Sequence, residues 1–343
     1  MRQTSTKVRA NRAASGRVRM LDVAREAGVS AQTVSRVLRL PEKVAEATRQ
    51  RVLDAVEKLN YVPDLAASYL ASNRSRVVAL VMPSVSMSIF ADTAAGLTSS
   101  LDQAGYQLLL AHTGYSLNDE EAAIRAFLGR RPDAMVLIGV EHSARAEEIL
   151  RLSEIPVVQT WALTDSPIDM VVGFDNVGAG SALAEYFIER GYRRLAFVGN
   201  NELRSRQRRE GFVAALAGRA PAPTIVSHES VTALMDDGSA ALAEVLERQP
   251  DTDAIFLASD IMAAGAIFEC QRRGIRVPED VAIAGFGGYE IAHQITPSLT
   301  TAEVSGRRIG ELAAGLITAK LAGEPCEKSV IDVGFRIVRR DSA

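Results

Sequence analysis

The sequence predicts an α/β protein: an N-terminal helix-turn-helix headpiece followed by a two-lobed, doubly wound core. Three observations carry this prediction. In residues 21–38, LDVAREAGVSAQTVSRVL, apolar residues recur at helical spacing and are interrupted once, at Gly28. From residue 77 onward, short runs that are apolar throughout alternate with amphipathic helical segments, as parallel strands covered on both faces require. These strand–helix units come in two sets, which predicts two similar lobes with a cleft between them.

In the first helix Val23, Ala24 and Ala27 form a small apolar face, and Gly28 ends it where a residue free to take positive φ is cheap. Ser30 stands at the N-cap of the second helix, its hydroxyl placed to hold the first free N–H groups. Val34, Val37 and Leu38 share one face of that helix; Gln32 and Arg36 share the other, with Ala31 and Ser35 beside them. A helix that offers Gln and Arg outward suits the DNA major groove, where Gln pairs with adenine and Arg with guanine. An ordinary helix pair with solvated polar residues has the same local pattern. A third helix is expected over 42–59, with Val52, Ala55, Val56 and Leu59 as its buried stripe. Pro63 then holds Val62 extended, and Asp64 can cap a further helix over 65–71 that is too short to persist unaided. That segment reads as a linker ordered by DNA and a partner chain.

Strands are expected at 77–82, 106–112, 134–140, 156–161, 169–174, 195–199, 254–259 and 281–286. Helices between them include 90–104, 179–190, 207–217 and 261–273. A last helix, 307–320, and one strand, KSVIDVGFRIV (328–338), complete the body. In such a body ligands bind at the carboxyl ends of the strands. That rule selects Ser84, Ser86 and Phe90, then residues 112–115 beginning with His112, then Trp161, Asp175, residues 200–209, Asp260 and residues 287–290. Trp161, the only tryptophan, reads equally as a stacking wall for a polyol or as a core residue.

Composition excludes several classes. With 47% hydrophobic and 24% charged residues the chain reads as soluble and globular, and no apolar run is long enough for a membrane helix. The basic N-terminus is not followed by an apolar segment, so no secretory signal is expected. Cys270 and Cys326 are far apart and read as inert thiols in a reducing cytoplasm. The net charge of −3 hides an asymmetry: residues 1–76 hold 15 basic and 7 acidic residues. A basic head on an acidic body suits a module for polyanions. The first 19 residues carry six Lys/Arg and no acid, and read as a disordered arm. His112, His142, His228 and His293 are scattered without metal-ligand spacing, and neither a phosphate-binding loop nor a GxSxG elbow is present. The stretch GFDNVGAG (173–180) departs from the dinucleotide fingerprint. No enzyme, cofactor or metal is expected, although a soluble sugar-binding protein and a dinucleotide-dependent oxidoreductase are rival readings of the body.

Residues 18–75 closely resemble the headpiece of the lactose/galactose-repressor family: DVA, AGVS, TVSRVL and LNYVP follow in that family's order and spacing. The body resembles the family's effector-binding core, which is built like a periplasmic sugar-binding protein. The resemblance implies a basic arm (1–17), a headpiece (18–62), a hinge helix and linker (63–76), an N-terminal lobe (77–175 with 301–333) and a C-terminal lobe (176–300 with 334–343). It implies base contacts from Ala31, Gln32 and Arg36, phosphate contacts from Ser30, Thr33 and Asn60, and Leu70 as the wedge that opens a minor-groove step. It further implies a homodimer on a pseudo-palindromic operator, and no heptad-bearing tail follows Asp341 to favour a tetramer. Arg208, three residues before Gly211, matches the family's effector-binding arginine. Where sugar-binding members commonly place an acid after the VAIAGF strand, this chain has Gly287 and Gly288. Keeping the arginine without the acid suits an anionic effector. FADTAAGL, GYQLLLAHTGY, VVGFDN, AIFECQRRGIRVPEDVAIAGFGG and IDVGF bring the chain nearest, within the family, to the gluconate-utilisation repressors. A sugar acid held by Arg208, with Phe90, Trp161 and Asp175 lining the pocket, is the effector so implied, acting as inducer; a neutral sugar or a corepressor is the alternative.

Overall fold

Gly28, at φ +66, turns the chain between the first two helices of the N-terminal unit, where a side chain is strained. The computed structural model describes residues 18–62, 74–85, 87–228, 233–325 and 328–343, without the side chain of Arg39. The basic arm, the hinge segment with Leu70, Ser86 and Cys326 lie outside the described residues. The chain divides into two units between Ser75 and Arg76.

In the first unit α1 (Met20–Ala27), α2 (Ala31–Arg39) and α3 (Glu46–Lys58) enclose a core of Val23, Ala27, Val34, Val37, Val52 and Tyr61. The Ser30 hydroxyl accepts from the Thr33 amide at 3.1 Å and so caps α2. The third helix starts later than the sequence suggests. Pro41 opens a 3-10 turn (Pro41–Lys43), and Val44 and Ala45 are extended before α3 begins. Val44 thereby turns its side chain onto the core.

The second unit holds two six-stranded sheets. In the first, β1 (Val77–Met82), β2 (Gln107–His112), β3 (Ala134–Ile138), β4 (Val157–Thr160), β5 (Met170–Gly173) and β11 (Val330–Asp332) run in the order β2–β1–β3–β4–β5–β11, all parallel. In the second, β6 (Leu195–Asn200), β7 (Thr224–His228), β8 (Ala254–Leu257), β9 (Ala282–Gly287), β10 (Thr300–Glu303) and β12 (Arg336–Val338) run β7–β6–β8–β9–β10–β12, with only the β10–β12 pair antiparallel. Strands β1, β3 and β8 are buried on both faces, as their apolar composition requires, whereas the equally apolar run of β2 is an outer strand with Leu109 and Leu110 exposed. Helices α4 (Ser88–Gln103), α5 (Leu117–Leu128) and α6 (Ala144–Leu152) belong to the first sheet. Helices α7 (Asn176–Glu189), α8 (Leu203–Leu216), α9 (Met235–Arg248), α10 (Asp260–Arg273) and the single-turn α11 (Ile291–Gln294) belong to the second, and α12 (Gly306–Leu321) returns to pack on α4. Cys270 is buried in α10, and burial pushes its thiol up to about 12, so it stays protonated.

The chain passes between the sheets three times: after β5, after β10 and after β11. The segment KSVIDVGFRIV is therefore two short strands, β11 and β12, in different sheets. Gly334, at φ +67, lies between them. The return to the first lobe follows β10, so the lobe boundary at residue 301 falls inside a strand of the second sheet. Helices α7 and α8 meet backbone to backbone: a Cβ on Gly180 would lie 1.9 Å from the Arg208 carbonyl oxygen, and one on Gly211 1.9 Å from that of Val177. This close crossing sets the position of Arg208.

Candidate functional site

On the first unit, Gln32 and Arg36 are exposed on one face of α2 while Val34 and Val37 are buried on the other. Ala31, Thr33 and Ser35 are half-buried beside them. Ser30 also has a local role as the N-cap. Asn60 is exposed with φ +47, and it ends α3 as its amide donates to Glu57 O and that of Tyr61 to Val56 O. The exposed side thus carries a bidentate amide and a guanidinium four residues apart, the groups that read adenine and guanine edges.

On the second unit, a pocket of about 50 Å³ lies between the two sheets, where both present the carboxyl ends of their strands. Phe90 enters from α4, and Trp161 follows β4 with φ +74, a strained conformation for a bulky residue. The Trp161 indole N–H donates to Thr93 Oγ1 at 3.1 Å, and its ring meets Phe90 and Phe174 edge-on. From the second sheet come Phe286 and Tyr289, and from α8 come Arg204 and Arg208.

The two arginines, one helical turn apart, are both buried but differently paired. Arg204 Nε donates to Glu202 Oε1 at 2.7 Å, and the guanidinium lies over the Phe90 ring. Burial opposes its charge, yet the Glu202 carboxylate more than offsets this and holds it above the usual arginine range. Arg208 has no carboxylate. Its Nη1 donates to Asn176 Oδ1 at 2.6 Å and its Nη2 to the Ala258 carbonyl at 3.3 Å, while Nε has no partner among the described residues. Burial draws Arg208 down to about 10, still charged at neutral pH. Its guanidinium stands 4.0 Å above the Phe286 ring. Burial likewise raises the hydroxyls of Tyr115 and Tyr289, which therefore remain neutral donors and acceptors.

Of the seven effector residues expected from sequence, Phe90, Trp161 and Arg208 line this pocket. Four do not. His112 is exposed at the end of β2, the outer strand of its sheet; the loop after it turns, and Tyr115 enters the pocket instead. Asp175 is exposed and caps α7, accepting from the Gly178 amide at 2.8 Å. Its neighbour Asn176 is the buried one, joining the Trp161 carbonyl to Arg208. Asp260 lies wholly buried beneath the pocket. It accepts from the amides of Gly288 at 2.7 Å and Tyr289 at 2.8 Å and from the Thr301 hydroxyl at 2.6 Å, so it holds the loop that carries Tyr289. Burial raises it to about 6 against these hydrogen bonds. Ser84 is half-buried outside the lining. Tyr115, Arg204 and Tyr289 fall inside the strand-end stretches that the sequence marks; Asn176 and Phe286 have no such signal.

Among the described residues no His, Cys, Asp and Glu side chains cluster as metal ligands, and no helix is long and apolar enough to cross a membrane. An exposed Gln/Arg helix face and a pocket between two lobes with an unneutralised arginine are the features of a ligand-responsive DNA-binding protein.

Comparison with known proteins agrees. Residues 19–64 match the model described as bacterial regulatory proteins, lacI family, and residues 184–343 match a periplasmic binding protein-like domain. The chain is 33% identical over 319 residues to the HTH-type transcriptional regulator GntR of Escherichia coli (strain K12), spanning 92% of this chain and 96% of that one. It is 35% identical over 341 residues to the regulator of the same name from Pseudomonas aeruginosa, spanning 98% and 99%. A crystal structure of a LacI-family transcriptional regulator from Silicibacter pomeroyi matches with a TM-score of 0.87 at 33% identity, over 95% of this chain and 99% of that one. The chain belongs to the lacI family of bacterial regulatory proteins. It is a DNA-binding transcriptional regulator that responds to a small-molecule effector, and not an enzyme.

Proposed function

We propose that the chain is a cytoplasmic, dimeric repressor whose operator affinity falls when a sugar acid, gluconate or a close relative, occupies the pocket. The observation that carries this reading is Arg208. A buried guanidinium without a carboxylate is costly to the protein alone, and a ligand carboxylate would complete it bidentately. The aromatic walls of Phe90 and Trp161 suit the C–H faces of a polyol, and the tyrosine hydroxyls suit its O–H groups. The likeness to gluconate-utilisation repressors points to the same chemistry. As the pocket holds about 50 Å³, room for a few waters, a six-carbon acid enters as the lobes part and is clasped as they close. Closure then changes how two N-terminal lobes sit in a dimer and withdraws support from the segment around Leu70, with a coupling of about 1–3 kcal/mol. On DNA, Ala31, Gln32 and Arg36 meet base edges of each half-site, and Ser30, Thr33 and Asn60 meet phosphates.

The test is titration of the protein, bound to its own upstream DNA, with gluconate and with a panel of neutral sugars. Release by gluconate alone supports the reading. Release by a neutral sugar overturns the effector, and tighter binding on adding gluconate overturns the inducer sign.

A further inference from the structure

Glu202 decides how much charge the pocket offers. It stands at the N-cap of α8, where its Oε2 accepts from the amides of Arg204 at 3.1 Å and Ser205 at 3.4 Å, while its Oε1 takes Arg204 Nε. Both oxygens are thus engaged, by a guanidinium and by the positive end of a helix. Among the described residues lining the pocket it is the one acid, and Arg204 and Arg208 are the two bases. Of two buried positive charges, Arg204 is already answered and Arg208 is not. The side chains lining the pocket sum to one net positive charge, and a buried charge left unmatched is expensive.

We propose that Glu202 is a specificity-determining residue: by neutralising Arg204 it restricts the site to singly charged acids and rejects dianions of the same size. The inference rests on the sugar-acid reading above and sharpens it. A monocarboxylate brings the pocket to neutrality against Arg208. A second carboxylate, arriving near Arg204, would find that guanidinium occupied and would face Glu202 as a like charge. Specificity here comes from a repulsive group as much as from an attractive one.

Gluconate and glucarate test this, because they differ only in a terminal hydroxymethyl against a terminal carboxylate. Calorimetry on the full-length wild-type protein is expected to favour gluconate by about tenfold or more. The substitution Glu202→Gln frees Arg204, and the glucarate-to-gluconate affinity ratio is expected to rise by about tenfold or more. Glu202→Asp, which keeps the charge and the cap, is expected to retain the wild-type order. Loss of the helix cap alone would weaken both acids together and leave the ratio unchanged, so an unchanged ratio in Glu202→Gln overturns the inference. Equal affinity of the wild-type protein for the two acids overturns it even where the variant fails to fold. A wild-type protein that binds neither acid, while still binding its DNA, overturns the sugar-acid reading and this inference with it.

Discussion

Replacing Arg208 with Met separates what the pocket does for the fold from what it does for the effector. Burial draws Arg208 from the usual arginine range down to about 10, and at about 1.4 kcal/mol per pH unit this places the cost of the buried charge near 3 kcal/mol. Against it stand the bonds to Asn176 and the Ala258 carbonyl, whose loss leaves acceptors unsatisfied at about 1–3 kcal/mol. Met keeps much of the contact with Phe286. The two effects nearly cancel, so Arg208→Met is expected to fold with wild-type stability or up to about 2 kcal/mol above it. Its response to effector is expected to vanish. Gluconate at a hundred times its Kd should stabilise the wild-type protein by about 2.7 kcal/mol and the variant not at all. The assay is urea unfolding followed by fluorescence of Trp161, the only tryptophan, which lies in this pocket and reports the effector-binding body directly. A variant destabilised by more than about 2 kcal/mol refutes the reasoning about the buried charge, because its bonds would then outweigh its desolvation. A variant still stabilised by gluconate refutes Arg208 as the anchor.

Arg36→Ala is expected to relax preference at one base of each half-site by about 1–3 kcal/mol, read by mobility shift on base-substituted operators. Asp260, at about 6 against 3.8 when unfolded, takes up a proton on folding, so wild-type stability should rise as pH falls through 6. The gain at pH 5 over pH 7.5 is about 1 kcal/mol and should be missing from Asp260→Asn in equilibrium unfolding. Gly211→Ala drives a methyl group into the Val177 carbonyl, and a loss of about 1–3 kcal/mol, with weaker effector binding as α8 shifts, is expected in the same unfolding and binding assays.

The central strands were legible because burial on both faces leaves an unbroken apolar run, as VVALVM does in β1, while β2 carries such a run although it is an outer strand with Leu109 and Leu110 exposed. β7 and β10 escaped the same reading. The first is an outer strand with one fully buried residue, and the second, TTAE, is polar yet buried by its hydrogen bonds to Arg340, Ser342 and Asp260. The division of residues 328–338 between two sheets depends on partners more than thirty residues away and leaves no local mark. The strand-end rule found the loops of the pocket but not which side chain turns inward. Asp175 and Asn176 illustrate this, since adjacent polar residues at a helix start point apart and only packing against Trp161 and Arg208 chooses between them. Asp260 has the composition of a ligand-binding acid and is instead a buried brace, which becomes visible only through its three hydrogen-bond donors.

The late return of the chain to its first lobe bears on how the protein is made. Helix α12 covers α4 so closely that Gly96 and Gly310 have no room for a methyl group, yet the ribosome reaches α12 only after the whole second sheet through β10 has been synthesised. At about 5–20 residues per second the face of α4 waits on the order of ten seconds for its cover. Over that interval the nascent first lobe presents an apolar helix face and the unfilled place of β11 beside β5. Neither lobe is a continuous cassette, so an early stop or a stalled ribosome leaves both unfinished, and the nascent first lobe is the form most exposed to chaperones and to aggregation.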